Sequence, residues 1–185
     1  MGPEQSGFMM SVGYEVYCNL LAEAVAEARG EAVPEKEECL VDLDISAYIP
    51  ESYISDGNTR IQMYKKIAGI LDLSDSYLVE EELEDRFGDI PKATKMLIDV
   101  AMIRSEARKM NISEIGKKNE RILLYPSEGF SGIPETIASL NGAFRGKVMF
   151  ASTGRPCIFV RCGELNEQET LEFVKKVLQN LKCDK

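Results

Sequence analysis

The chain has 185 residues, 44% hydrophobic and 29% charged, which is typical of one globular domain with a short extension. Its 31 acidic and 22 basic residues give a net charge of −9, which argues against direct DNA binding and favours a basic protein surface as partner. Because histidine is absent, imidazole catalysis and histidine metal sites are excluded.

The five cysteines include no C-x-x-C pair, and the sequence shows no secretory signal peptide. We therefore expect free thiols and a cytoplasmic location. Cys157 and Cys162 lie in or beside an apolar strand pattern, so a buried structural role is favoured over a nucleophilic one. No apolar run approaches the roughly 18 residues that span a bilayer, so we expect no membrane partner.

The first thirty residues have a helical pattern. Apolar side chains recur at three- and four-residue steps, which predicts a long helix over residues 8–29 with one apolar face. Gly30 ends this pattern, and residues 31–38 follow as a polar, acidic linker containing Pro34. The predicted division is therefore a helical tail (1–30), a linker (31–38) and a domain (39–185).

The domain begins with an alternating pattern over residues 41–47, which predicts a half-buried strand. Three helices are predicted next. The first has its apolar stripe at Ile61, Tyr64, Ile67 or Ala68, and Leu71. The second covers residues 76–87, and the third runs from near Pro91 to about Met110. This part of the domain is predominantly helical.

From Asn111 the pattern is mixed. Two hairpins are predicted, one from NISEI and RILLYP and one from KVMFA and CIFVRC, with a short helix over PETIASLNGAF between them. A final helix covers EQETLEFVKKVLQNLK. The predicted fold class is α+β: a long N-terminal helix and a helical half, then a small mixed β-sheet with helices.

No motif in the sequence indicates an autonomous enzyme. There is no phosphate-binding P-loop, no dinucleotide fingerprint and no H-E-x-x-H, so we expect no cofactor or metal site in this chain. Asp42 and Asp44 could form a metal pair or an acid–base dyad, but alternation alone explains two polar residues on a solvated strand face. A small carboxylate- or thiol-dependent hydrolase and an acidic mimic of DNA remain as alternatives.

The predicted helix over residues 76–87 has acids crowded at its C-terminal end. The helix dipole makes each acid there unfavourable by roughly 0.3–1 kcal/mol, and only Arg86 has the favoured sign. Glu82 and Arg86 border the buried stripe, and Asp85 lies just beyond them. The cluster is either a solvated acidic face or a docking surface for arginines of another module.

Three stretches resemble the bacterial transcription-repair coupling factors. GPEQSGFMMSVGYEVYCNLLAEAV is similar to the segment that closes the second motor lobe in that family, while IPESYISDGNTRIQMYKKIA and EEELEDRFGDIPKATKMLIDVAMIRSEARKMNI are similar to the start of its C-terminal (TRCF) domain. The resemblance covers about residues 2–115 and fades over residues 116–185. It implies that residues 1–30 are the helical tail of a translocase lobe.

The resemblance also implies a function within a much longer protein. Such proteins displace stalled RNA polymerase by ATP-driven translocation on duplex DNA and recruit UvrA, with ATP and Mg²⁺ bound upstream of this region. The C-terminal domain is expected to be regulatory: it packs on the UvrB-like N-terminal module, masks the UvrA-binding surface and restrains the motor. Residues 8–29 would contact the motor lobe or, in this chain alone, another copy.

The resemblance assigns interface residues too. The family's E-L-x-D-R motif corresponds to Glu82, Asp85 and Arg86 of this sequence. These three residues are therefore expected to form the intramolecular interface, with acids at the unfavourable helix end compensated by arginines of the partner module.

Overall fold

The structure is a computed structural model that describes residues 39–128, 130 and 132–181. The predicted helix over residues 8–29, the linker over residues 31–38 and the boundary between them lie outside the described residues. Within the described ranges, no helix is both long enough and apolar enough to cross a membrane.

The described residues form an α+β fold, so the predicted fold class is confirmed. The helices are α1 (Gly57–Ala68), α2 (Leu73–Phe87), α3 (Lys92–Lys109), α4 (Ile133–Ala143) and α5 (Glu167–Gln179). The strands are β1 (Leu40–Asp42), β2 (Ile112–Lys118), β3 (Arg121–Pro126), β4 (Val148–Ala151) and β5 (Cys157–Arg161). Both predicted hairpins, β2–β3 and β4–β5, are confirmed.

The five strands form one mixed sheet in the order β1-β2-β3-β5-β4. β1 pairs in parallel with β2, and the other pairs are antiparallel. Because alternate residues point to opposite faces, Ile115, Ile122 and Ile158 lie on an inner face that packs against helices. The outer face of the sheet carries their alternating neighbours and belongs to neither buried cluster.

Helix α3 lies between two hydrophobic cores and contributes side chains to both. One side of α3, including Met96, Val100 and Ile103, packs with the inner face of the sheet and with α5. Another side, including Leu97 and Ala101, packs with α1 and α2. The helix is therefore buried on opposite sides, and the molecule is layered: sheet, then α3, then α1 and α2.

Two local predictions are wrong. The predicted strand over residues 41–47 ends at Asp42, because Asp44 has φ +52° and the extended backbone needed for pairing stops there. Asp42 and Asp44 are therefore not alternate residues of one strand. Leu71, predicted in the buried stripe of the first helix, lies beyond α1 and is exposed, because Gly69 caps the helix first.

Candidate functional site: the exposed face of helix α2

The helix α2 has defined ends. The side chain of Asp72 accepts hydrogen bonds from the backbone N–H groups of Ser74 and Asp75, which is a standard N-cap arrangement. At the other end, Gly88 adopts φ +81° and its N–H donates to the carbonyl of Glu84. Pro91 then blocks a continuation toward α3. The acidic cluster is thus fixed on a helix with capped termini.

The inner side of α2 anchors it to the helical core. Val79 and Leu83 are buried with residues of α1 and α3, and the half-buried Phe87 packs against this cluster. The ring of Tyr53 contacts Phe87 edge-on at a centroid distance of 5.9 Å, and its hydroxyl donates to the carbonyl oxygens of Leu83 and Gly88. The predicted stripe of Val79, Leu83 and Phe87 is therefore confirmed.

Glu82 is bound to two cations of the same domain. Its Oε1 accepts from Lys66 Nζ of α1 at 2.7 Å and from Arg86 Nη1, one turn further along α2, at 2.6 Å. The side chain of Glu82 is 27% exposed. Hydrogen bonds from Lys66 and then Arg86 lower the pKa of the Glu82 carboxyl group, so it is firmly ionised.

Arg86 is held in place by three neighbours and still reaches solvent. Besides its ion pair with Glu82, its guanidinium lies 4.9 Å from the centroid of the Phe87 ring, and Nη1 is 4.0 Å from Met63 Sδ. The side chain is 45% exposed. Its Nη2 and Nε groups form no hydrogen bond with the described residues, so they are available to an acceptor outside them.

Asp85 differs from Glu82 in having no ion pair with any residue that the structure describes. It is exposed, and it lines an open concavity of about 330 Å³ together with Tyr77, Glu80, Glu81 and Glu84. Four carboxylates therefore surround one aromatic side chain on a single helix. This arrangement attracts cations and offers an apolar contact for their side chains.

The apolar part of this surface is the feature that the sequence interpretation missed. Leu73, Tyr77 and Leu78 are 62%, 67% and 63% exposed, although leucine is usually buried in proteins and tyrosine is often at least partly buried. On a helical wheel these three residues lie away from the buried stripe of Val79 and Leu83, so the sequence could have indicated a second apolar surface. We call Leu73, Tyr77, Leu78, Glu81, Glu84 and Asp85 the exposed α2 face.

The three predicted interface residues form one edge of α2. At 100° per residue, Asp85, Glu82 and Arg86 fall within a 100° arc that runs from the exposed α2 face, to which Asp85 belongs, toward the side facing α1. Glu82 already has its cations, Lys66 and Arg86, whereas Asp85 has none within the described ranges. Among the residues that the structure describes, cations therefore compensate Glu82 but not Asp85.

The alternative catalytic groups do not have the properties of activated residues. Burial raises the pKa values of the Cys157 and Cys162 thiols, which is opposite to the shift that activates a nucleophilic cysteine. No group of three or more Cys, Asp or Glu side chains is arranged to hold a metal ion in the ranges that the structure describes. The acids of α2 lie on one helix rather than in two phosphate-like rows.

Comparisons with known proteins show which family this sequence resembles. The family model of the TRCF domain matches residues 43–138. The transcription-repair-coupling factors of Bacillus subtilis (strain 168) and Staphylococcus aureus (strain USA300) are each 36% identical over 129 residues, which is 69% of this chain and 11% of each relative. The chain thus spans about a tenth of the length of these relatives.

A solved structure extends the likeness to the fold of the C-terminal half. The crystal structure of the C-terminal domain of a transcription-repair coupling factor superposes with a TM-score of 0.67 at 23% identity, covering 78% of this chain and 94% of that domain. The match in fold includes residues where the sequence resemblance fades. The chain therefore belongs to the transcription-repair-coupling factor family and carries its TRCF domain.

Proposed function

We propose that this chain is the C-terminal regulatory domain of a transcription-repair coupling factor and acts through a protein interface rather than through catalysis. The edge formed by Glu82, Asp85 and Arg86, with the exposed α2 face beside it, docks on a UvrB-like N-terminal module of the same polypeptide. In the docked state it masks the surface that binds UvrA and restrains the motor. ATP, Mg²⁺, duplex DNA and RNA polymerase are bound by other parts of the protein.

This proposal depends on one observation: α2 carries carboxylates without an ion pair in the described residues, and exposed apolar side chains lie beside them. Glu81, Glu84 and Asp85 form no ion pair with the described part of the domain, and Leu73 and Tyr77 are exposed beside them. Protein interfaces combine an apolar centre with a charged rim in this way. A partner with arginines around an apolar patch is complementary to it.

The roles of the three edge residues differ in this proposal. Asp85 accepts from a cation of the partner module, whereas Arg86 donates its free N–H groups to a partner carboxylate or carbonyl. Glu82 is a positioning residue, because its contacts with Lys66 and Arg86 hold the guanidinium at the edge. The docked and released states need to differ by only a few kcal/mol for ligand binding elsewhere to switch them.

Binding to the separately expressed UvrB-like module tests the proposal. We expect the chain to bind in low salt, with affinity that falls steeply as ionic strength rises. The triple variant E82A/D85A/R86A should bind at least tenfold more weakly. The matched control E120A/E164A/R145A removes two acids and one arginine that are exposed elsewhere, and should bind like the parent. Equal binding by the two triple variants would refute the docking assignment.

A further inference from the structure

Three cations lie side by side on the outer face of the sheet. In the strand register, Lys118 of β2 is directly opposite Arg121 of β3, and Arg121 is directly opposite Arg161 of β5. All three are exposed, and none forms an ion pair with a residue that the structure describes. Like charges directly opposite one another destabilise a sheet, and an anionic partner would relieve the repulsion within this cationic row.

An apolar row lies directly beside the cations. Leu123 is opposite Phe159, and Phe159 is opposite Met149 of the edge strand β4. These side chains belong to neither buried cluster, and Met149 is 46% exposed. The guanidinium of Arg121 lies 5.0 Å from the centroid of the Phe159 ring, which joins the two rows. We call these six residues the cationic sheet face.

A nucleic acid is a poor occupant for this face. Bases need open aromatic rings, whereas the Phe159 ring is covered by Arg121 and the Tyr125 ring by Arg155. Arg155 is itself paired with Glu114, so it is not a free phosphate ligand. The net charge of −9 further opposes a continuous polyanion. Carboxylates next to apolar side chains, as on another protein, suit the two rows better.

The chain itself carries a surface with that chemistry. The exposed α2 face has Leu73, Tyr77 and Leu78 beside the acids Glu81, Glu84 and Asp85. It points away from α3, because the opposite side of α2 packs on α3. The cationic sheet face also points away from α3, on the other side of the molecule, because the inner face of the sheet packs there. The two complementary surfaces therefore cannot meet within one chain.

We propose that the cationic sheet face of one chain binds the exposed α2 face of a second copy. The carboxylates of α2 pair with the cationic row, while Tyr77 and Leu78 contact the apolar row. Because the two surfaces differ and lie on opposite sides, the association is head-to-tail and can continue along a row of copies. A stable interface buries roughly 800 Å² per partner, and this contact uses only a single helix face of one copy, so we expect association at high protein concentration.

Charge-reversal variants of the whole chain test this inference by sedimentation equilibrium over a concentration series. The parent should show an average mass that rises with concentration and falls with added salt. R121E/R161E and E81K/E84K should each associate at least tenfold more weakly, because each reverses one of the two surfaces. K92E/K95E, which changes the charge as much as R121E/R161E does but on α3, should behave like the parent.

Mixing the two reversal variants is the decisive experiment. In the mixture, the intact α2 face of R121E/R161E meets the intact sheet face of E81K/E84K, so association should return. A mixture that stays monomeric, a parent that stays monomeric, or association that survives R121E/R161E would overturn the inference. Binding of single-stranded oligo(dT) or RNA by the parent, lost in R121E/R161E, would also overturn it, since the face would then be a nucleic-acid site.

The inference is separable from the proposed function. R121E/R161E leaves α2 intact and should bind the UvrB-like module like the parent. If E82A/D85A/R86A lost module binding while R121E/R161E kept self-association, only the head-to-tail inference would fail. If R121E/R161E and E81K/E84K lost self-association while E82A/D85A/R86A kept module binding, only the docking proposal would fail.

Discussion

Lys66 of α1 donates to both carboxylate oxygens of Glu82 on α2, at 2.7 and 2.5 Å. The contact joins two helices whose buried sides already share one core. It also supplies a cation beside the acids that are gathered toward the C-terminal end of α2. The pair therefore does two things: it ties α1 to α2, and it leaves Arg86 oriented along the edge proposed for docking.

The Glu82 contacts predict a particular pH dependence of stability. The pKa of Glu82 is lowered in the folded chain, so its contribution is present above the ordinary glutamate value and is lost as pH falls through the folded value. E82Q should therefore be less stable than the parent at pH 7, by no more than about 1 kcal/mol for a partly exposed pair, and the difference should shrink as the pH falls below the ordinary glutamate value and the carboxyl group is protonated.

Urea unfolding of the parent and E82Q at a series of pH values measures this difference. E81Q is the matched control, because Glu81 is an exposed acid of the same helix with no ion pair in the described part of the chain. Its stability difference from the parent should be near zero throughout. A difference for E82Q that grows as pH falls would show that the pKa shift has the wrong sign.

Truncation of two leucines of α2 should change stability by very different amounts. Leu83 is fully buried in the helical core, so L83A should lower the free energy of unfolding by about 2–5 kcal/mol. Leu78 is 63% exposed, so L78A should change it by less than about 0.5 kcal/mol. Chemical denaturation of both variants checks the pair, and similar losses would mean that Leu78 is buried in the intact chain.

Two glycine-to-alanine substitutions, G88A after α2 and G142A in α4, should change stability in opposite directions. Gly88 has φ +81° and ψ −160°, a region that is essentially restricted to glycine, so G88A should destabilise the chain by about 1–3 kcal/mol. Gly142 lies inside α4 with open space where a Cβ would be, so G142A should stabilise it by roughly 0.5–1 kcal/mol. Thermal unfolding should therefore shift in opposite directions.

Much of the fold was predictable because its signals are local. The 3.6-residue period of Val79, Leu83 and Phe87 and the glycine after them sufficed to place α2, and alternation on either side of polar turns sufficed for both hairpins. The strand order, with β5 between β3 and β4, depends on contacts between distant residues that one sequence does not reveal. The early end of β1 depends on a single dihedral angle, at Asp44.

The candidate site was predictable in part, and only with the family resemblance. Glu82, Asp85 and Arg86 could be named from a motif, but the cation that binds Glu82 is Lys66, sixteen positions earlier on another helix. Arg104 and Lys109 of α3 donate to the carbonyls of Ala68, the last residue of α1, and of Leu71, which follows it. Such partners are set by helix packing, so periodicity does not identify them.

The cysteine environment predicts low reactivity for Cys157. Burial raises the pKa of its thiol, so at pH 8 the thiolate fraction is smaller than for a free cysteine. We expect iodoacetamide to label Cys157 at least tenfold more slowly in the folded chain than in urea, as measured by mass spectrometry of peptides. Faster labelling in the folded chain would favour the thiol-dependent hydrolase alternative.

The proposed docking surface predicts that its apolar and charged residues respond differently to salt. Tyr77 is 67% exposed, and its contact with the UvrB-like module would bury apolar area, so Y77A should weaken binding about equally in low and high salt. D85A should weaken it in low salt only, because ions screen an exposed charge pair. Neither variant should change the unfolding free energy by more than about 0.5 kcal/mol, since neither side chain is in the core.

Isothermal titration at two salt concentrations distinguishes the apolar contribution of Tyr77 from the charge contribution of Asp85. K92A, which removes an exposed charge of α3, is the control. Binding that is insensitive to both Y77A and D85A would mean that the module contacts another surface of the domain.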